Sequence, residues 1–227
     1  MITIFHIFYN QHTILNKHFT AWRKHPKNAF KYIIIDDCSP QEIYEKCEID
    51  NFTVFRINRD IPWNIAGARN LGFHVSSTDW VLGADIDHVV TSDAAEKILS
   101  LDLSNPDVAY TFKRVSEKDG YVGCPAIINI LMNKMRFFEM GGYDEDFSGN
   151  YGREETFFWH CLQRHSIKIV QCDHIHLNWH PRYAATKGLK RDKTINSKIF
   201  TDKMDALNRG TYGNGPILRF EWKKLSS

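Results

Sequence analysis

The chain has 227 residues, 43% hydrophobic and 13% aromatic, enough for one large domain with a full core or two small ones. A formal charge of +2 excludes a strong whole-protein field that would draw in nucleic acid, although the C-terminal part is locally basic. Five cysteines, an odd count with no CxxC pair, argue against a disulfide framework and for a reducing, cytoplasmic setting.

The opening "MITIFHIFYN" lacks a basic leader and breaks its apolar run at His6 and Asn10, so it reads as a strand, not a signal peptide. "TILNKHFTAWRK" follows at helical spacing, with Ile14, Leu15, His18, Phe19 and Trp22 near one face. "FKYIIIDDCSP" is apolar throughout, the mark of a strand buried on both faces, and it stops in two acids. Next come a helix "QEIYEKCEI", a strand "FTVFRIN", a helix "WNIAGARNLGFHVS" and a strand "DWVLGADIDHVV". "TSDAAEKILSL" opens on a Ser/Thr/Asp cap and continues as a helix. "DVAYTFKRVS" reads as a strand, and "AIINILMNKMRFFEM" as two strands broken by a turn near Asn133. "REETFFWHCLQRH" is a helix, and "IKIVQCDHIHLNWH" a strand with a histidine-rich exit. The last residues, from Ala185, are polar and basic ("KGLKRDK", "EWKKL") and read as an appended helix and tail. No run of about 18 apolar residues would cross a membrane, which leaves peripheral membrane contact open.

Strand alternates with helix through the first half, so the class is α/β with a mostly parallel, Rossmann-like central sheet flanked by helices. In such sheets ligands bind beyond the carboxyl ends of the strands. Two strands end there in acids: Asp36-Asp37 and Asp85-x-Asp87. Side chains two apart on a strand share a face, so Asp85 and Asp87 repel unless a cation or a basic group lies between them or the strand has left the core. Hard oxygen ligands suit Mg²⁺ or Mn²⁺. Each acidic pair alone reads equally as a turn or a cap.

"YIIIDDCS", "NIAGARNLG", "GADIDHV" and "GGYDEDFSGNYGREETFFWHCLQR", in that order, resemble nucleotide-sugar glycosyltransferases of the GT-A fold, closest in pattern to the inverting family 2 enzymes and the galactosyltransferase-type C-terminal motif. The resemblance covers about residues 1 to 182. It divides the chain into a catalytic domain, 1–184, and a basic C-terminal extension, 185–227, packed on it or trailing from it.

The resemblance implies roles. Asp37 matches the acid that accepts from the uracil N–H, with Asp36 structural or near the base and Tyr9 where a ring can stack on the base. Arg69 would reach the diphosphate or hold the Asp-x-Asp loop, while Gly67 and Ala68 would let the backbone approach the ligand. Asp85 and Asp87 match the pair that binds Mn²⁺ (or Mg²⁺), with His176, then His180, as the added ligand. Glu155 stands where the family has its catalytic Asp, a departure by one methylene, and Glu154 where the preceding acid binds the acceptor. Gly142 and Tyr151 belong to the acceptor loop, Trp63 and Trp179 are further aromatic candidates, and Asp144 orders the loop.

The activity implied is metal-dependent inverting transfer of a hexose from a UDP-sugar to a saccharide or lipid-linked saccharide hydroxyl, with no nucleic-acid partner. The alternatives are a nucleotide-sugar hydrolase or nucleotidyltransferase, the latter lacking a Gly-rich basic signature after the first strand, and a non-catalytic nucleotide- or carbohydrate-binding module.

Overall fold

The structure, a computed structural model, describes residues 1–41, 49–123, 127–181, 188–215 and 217–226. The expected helix "QEIYEKCEI" falls largely on 42–48 and lies outside the described residues. The first half runs β1 (Ile2–Phe8), α1 (His12–Trp22), β2 (Phe30–Asp36), β3 (Phe52–Ile57), α2 (Ile65–Val75), β4 (Trp80–Asp85), β5 (His88–Val89) and α3 (Ser92–Leu99). The second half runs β6 (Val108–Ser116), β7 (Val122–Gly123), β8 (Ile130–Asn133), α4 (Lys134–Glu139), α5 (Glu154–Arg164), β9 (Lys168–Trp179), α6 (Thr194–Asn208) and β10 (Trp222–Ser226).

These strands form one sheet in the order β10-β3-β2-β1-β4-β8-β6-β9-β5, with β7 paired to β6. The segment β3-β2-β1-β4 is parallel, and its inner strands β1, β2 and β4 are buried almost throughout, as both faces of such a sheet are covered. β8 then runs antiparallel to both β4 and β6. From β1 the chain steps outward to β2 and β3, then returns to β1's other side as β4. A crevice opens at such a reversal, beyond the carboxyl ends of the strands.

Alternation along β1 sends Ile2, Ile4 and Phe8 to one face, where they pack with Leu15, Phe19 and Trp22 of α1 and Ala94, Ala95 and Ile98 of α3. Phe5 joins the other face with Leu71 and Phe73 of α2, Phe137 of α4 and Phe158 of α5. A Cβ on Gly72 would sit 2.4 Å from the Phe5 ring, and one on Gly83 2.6 Å from it. Helix α2 lies directly on β1 because Gly72 carries no side chain, and Gly83 of the adjacent β4 leaves room for the same ring.

Three elements differ from the sequence expectation. "DWVLGADIDHVV" is not one strand: β4 stops at Asp85, Ile86 and Asp87 form a turn, and His88–Val89 pairs with β9 instead. The second half of "AIINILMNKMRFFEM" is helix α4. Asn133 accepts from the N–H groups of Met135 and Arg136, and this cap turns a strand end into a helix start. The C-terminal "EWKKL" is a strand, β10, antiparallel to β3 at the sheet's edge.

Candidate active site

At the carboxyl ends of β1, β2 and β4 lies a cleft of about 450 Å³, closed on its far side by the N-terminus of α5. Tyr9, Asp37, Asp85, Asp87, Tyr151, Glu154 and Glu155 all line it. Residues far apart in the chain meet here because three strand ends and one helix end converge.

On the β2 side, Asp37 is 5% exposed and accepts from Asn64 Nδ2 at 3.2 Å. Asn64 is the N-cap of α2 but makes no capping bond with its side chain; the amide is turned to Asp37 instead. Asp36 is fully buried, paired with Arg56 and accepting from Ser39 N at 2.9 Å. It braces the β2 turn behind the cleft and does not line it, which corrects its assignment to nucleotide-sugar binding: both carboxylate oxygens are already used internally.

On the β4 side, Asp85, Asp87 and His88 offer ligand atoms within 4.8 Å of one another. Two carboxylates and an imidazole fit a divalent cation, with the nitrogen favouring Mn²⁺ over Mg²⁺. The buried His88 Nε2 has no hydrogen-bond partner among the described residues, which also suits a ligand-binding ring. Asp87 Oδ1 lies 2.8 Å from His88 Nδ1, and Trp179 Nε1 donates to Asp87 Oδ2 at 3.1 Å. Burial pushes the Asp87 carboxyl up, but these donors outweigh it and hold the carboxyl below its ordinary value. Beneath the turn, buried His18 donates from Nε2 to the Ile86 carbonyl at 2.7 Å, and His6 Nδ1 lies 3.3 Å from the Asp85 carbonyl.

His176 does not join this group. Its Nε2 is spent on the Asp173 carbonyl at 3.0 Å, on an exposed stretch of β9. His180 donates its backbone N–H to the Asp87 carbonyl at 2.7 Å, and its ring is paired with Glu117. It supports the turn instead of offering a ligand atom to it. The candidate ligand that sequence reasoning missed is His88, whose signal was adjacency: it directly follows Asp87 in "ADIDHV".

Arg69 lies behind the cleft wall, its side chain 3% exposed. One nitrogen, Nη2, donates to Asp85 Oδ1 at 3.0 Å and to Glu155 Oε1 at 2.8 Å. These contacts tie it to the end of β4 and to the start of α5. Gly67 does not face the cleft: a Cβ there would meet Asn64 Oδ1 at 2.4 Å and the Phe220 ring at 2.5 Å, so its bareness serves packing.

Glu154 and Glu155 open α5, where the helix N-terminus favours negative charge. Burial, and then the neighbouring charge of Glu155, push the Glu154 carboxyl up to about 7. Glu155 is also raised, chiefly by burial, against the pull of Arg69. The preceding loop is held by its own acids. Asp144 accepts from Tyr212 Oη at 2.8 Å and pairs with Lys203 at 2.6 Å. Glu145 accepts from Asn70 Nδ2 at 2.8 Å and from Leu218 N at 2.6 Å. Gly142 has φ +64°, and a Cβ there would meet Asn70 Oδ1 at 2.8 Å and Phe137 at 3.0 Å. It is a buried turn residue, not part of the cleft wall, which corrects its assignment to acceptor binding. Tyr151 does line the wall, its ring centroid 4.7 Å from that of Trp63.

Similarities to known proteins point the same way. An uncharacterized glycosyltransferase of Haemophilus influenzae is 30% identical over 83 residues, which make up 37% of this chain and 28% of that protein. The Staphylococcus aureus protein TarS, residues 1–349, solved with UDP-GlcNAc, superposes with a TM-score of 0.70 at 13% identity, over 91% of this chain and 65% of that one. GalNAc-T7, solved with UDP, GalNAc and Mn²⁺, gives 0.71 at 13% identity, over 93% of this chain and 49% of that one. A mannosyltransferase of Pyrobaculum calidifontis, solved with GDP-Man and Mn²⁺, gives 0.57 at 11%, over 95% and 65%. The chain thus spans less than two thirds of the length of each of these proteins. Residues 3–165, which include every acid of the cleft, match the sequence profile of glycosyl transferase family 2. Cleft, sheet order and sequence agree: the chain belongs to glycosyl transferase family 2 and carries its GT-A fold.

Proposed function

We propose that this chain is a metal-dependent, inverting glycosyltransferase that moves a hexose from a UDP-sugar to a hydroxyl of a saccharide or lipid-linked saccharide. The observation that carries the reading is the convergence of three acid sets, Asp37, Asp85/Asp87 and Glu154/Glu155, on one cleft. UDP-bound and Mn²⁺-bound neighbours of the same fold support it.

In this reading Asp37, oriented by Asn64, accepts from the base, and Tyr9 flanks it. Asp85, Asp87 and His88 hold the divalent ion, which when bound offsets charge on the departing diphosphate. Arg69 fixes Asp85 and Glu155 relative to each other. Glu155 removes the acceptor hydroxyl's proton as the oxygen attacks the anomeric carbon, and its contact with Arg69 favours the carboxylate form that this step needs. Glu154, with its elevated pKa, contacts the acceptor. The displacement is direct and needs no covalent sugar–enzyme intermediate.

Two measurements test this. Melting temperature is followed with UDP and with GDP, each with and without Mn²⁺; a ligand that binds only the folded chain must raise it. UDP with Mn²⁺ is expected to give the largest rise. Donor turnover is then compared in Asp87→Ala and Glu155→Gln, each expected to fall by about 100-fold or more. Wild-type rates in both variants would falsify the reading.

A further inference from the structure

The charges around the cleft are unevenly partnered. Asp192 is the one acid in "KGLKRDK", and it is consumed locally, accepting from Thr194 N at 2.9 Å and Thr194 Oγ1 at 2.6 Å. Arg191 and Lys193 both line the cleft, both are exposed, and neither forms an ion pair among the described residues. Each cation sits 5.7 Å from the centre of the Tyr151 ring. The Lys193 stem lies beside Gly152, where a Cβ would come within 3.4 Å of it. Two like charges are thus gathered on one aromatic ring, on the α5 side of the cleft, and among the described residues neither is ion-paired with the Glu154 and Glu155 carboxylates that line the same wall.

The cation on the opposite side, beside the metal-competent group, is a different one. Arg114 lies 4.7 Å above the ring of Trp179, whose indole holds Asp87. Arg114 therefore stands beside Trp179 and Asp87, whereas Arg191 and Lys193 stand beside Tyr151, which packs on Trp63. Guanidinium and ammonium groups next to an aromatic wall match a sugar ring that carries an anion: the ring's C–H face lies on the aromatic, and the anion takes charge-assisted bonds.

We propose that Arg191 and Lys193 form an acceptor subsite for an acidic saccharide, one bearing a carboxylate or a phosphate ester near the reacting hydroxyl. The proposal rests on the glycosyltransferase reading above for calling this ligand the acceptor. The subsite selects by charge, and Trp63 and Tyr151 supply the stacking surface.

The test is equilibrium binding of three trisaccharides to the full chain in the presence of UDP and Mn²⁺: a neutral one, one of galacturonic acid, and one singly phosphorylated. At least one acidic ligand is expected to bind about tenfold or more tightly than the neutral one, and the two acidic arms tell carboxylate from phosphate. In the Arg191→Gln/Lys193→Gln variant this preference is expected to vanish, with UDP binding and melting temperature unchanged. Equal binding of all three, or no binding of any at millimolar concentration, overturns the proposal. So does weakened UDP binding in the variant, which would place both cations on the donor. Failure of the wild-type protein to bind UDP would instead sink the functional reading, leaving the charge preference itself to stand or fall on the saccharide comparison.

Discussion

A single nitrogen of Arg69 joins Asp85 at the end of β4 to Glu155 at the start of α5, at 3.0 and 2.8 Å. One buried guanidinium therefore ties the metal-competent edge of the cleft to its opposite wall. Removing one partner from a buried charge cluster costs about 3–5 kcal/mol, and less where the acids keep access to water, as Asp85 and Glu155 do at 36% and 31% side-chain exposure. Arg69→Ala is expected to destabilise by about 2–4 kcal/mol in urea unfolding. Arg69→Lys keeps the charge but not the planar fork, and is expected to lose less stability while still reducing turnover by about 100-fold, because the two walls lose their fixed separation. A lysine variant equal to wild type in both measurements would remove this role.

Glu154 makes a pH prediction whose sign is opposite to that of most carboxylates. Its folded pKa is raised from 4.5 to about 7, so the unfolded chain releases the proton first. Its contribution is fully present below pH 4.5 and is lost as pH rises through 7. His18, lowered by burial from 6.5 to about 4, acts the other way: its contribution is present above pH 6.5 and lost as pH falls through 4. The two partly cancel in the raw profile, so the difference between Glu154→Gln and wild type is the diagnostic quantity. That difference is expected to be near zero at pH 4.5 and to grow in the variant's favour to on the order of 3 kcal/mol above pH 7. Unfolding free energies measured across this range decide it; a flat difference would show that Glu154 titrates normally.

His88 and His176 offer a clean contrast. His88 belongs to the group within 4.8 Å and His176 does not. His88→Gln is expected to weaken Mn²⁺-dependent binding of UDP by about 10- to 100-fold, in the range typical of altered metal surroundings. His176→Gln should leave it unchanged. Titration of UDP at fixed Mn²⁺ by calorimetry measures both, and the reverse pattern would restore His176 as the ligand.

Gly72→Ala weighs two opposed effects. Alanine gains about 1 kcal/mol of helix propensity over glycine. The new Cβ would lie 2.4 Å from the Phe5 ring in the middle of the core, and overpacking costs about 1–3 kcal/mol. The clash is expected to win, for a net loss of about 1–2 kcal/mol, with reduced turnover because α2 carries Arg69. A stabilised variant would mean that Phe5 repacks freely.

Glu145 links the loop before α5 to the C-terminal segment by accepting from Leu218 N at 2.6 Å and Arg219 N at 3.1 Å. It is 2% exposed, so its loss leaves buried donors unpaired. Glu145→Ala is expected to cost about 2–4 kcal/mol. Amide exchange in β10 should accelerate more than exchange in β1, since the edge strand loses the anchor that leads into it. Equal acceleration in both strands would mean that the anchor is global.

The α/β alternation, the buried parallel strands and the acids at their ends were all legible in the sequence, because burial on both faces writes an unbroken apolar run and a polar exit writes itself as charge. So were Asp37, Asp85, Asp87, Glu154 and Glu155 as cleft residues, since each stands in a local motif. The resemblance singled out Asp37 for the base and left Asp36 structural or near it; Arg56, on the neighbouring strand, pairs with Asp36 and decides its place. Among the histidines the sequence pointed to His176 and then His180; His88 joins Asp85 and Asp87 only when β4 breaks at Asp85 and turns. Local pattern fixes which residues reach a strand end. Pairings between strands and helices distant in the chain decide which of them face the cleft and which are spent holding it in shape.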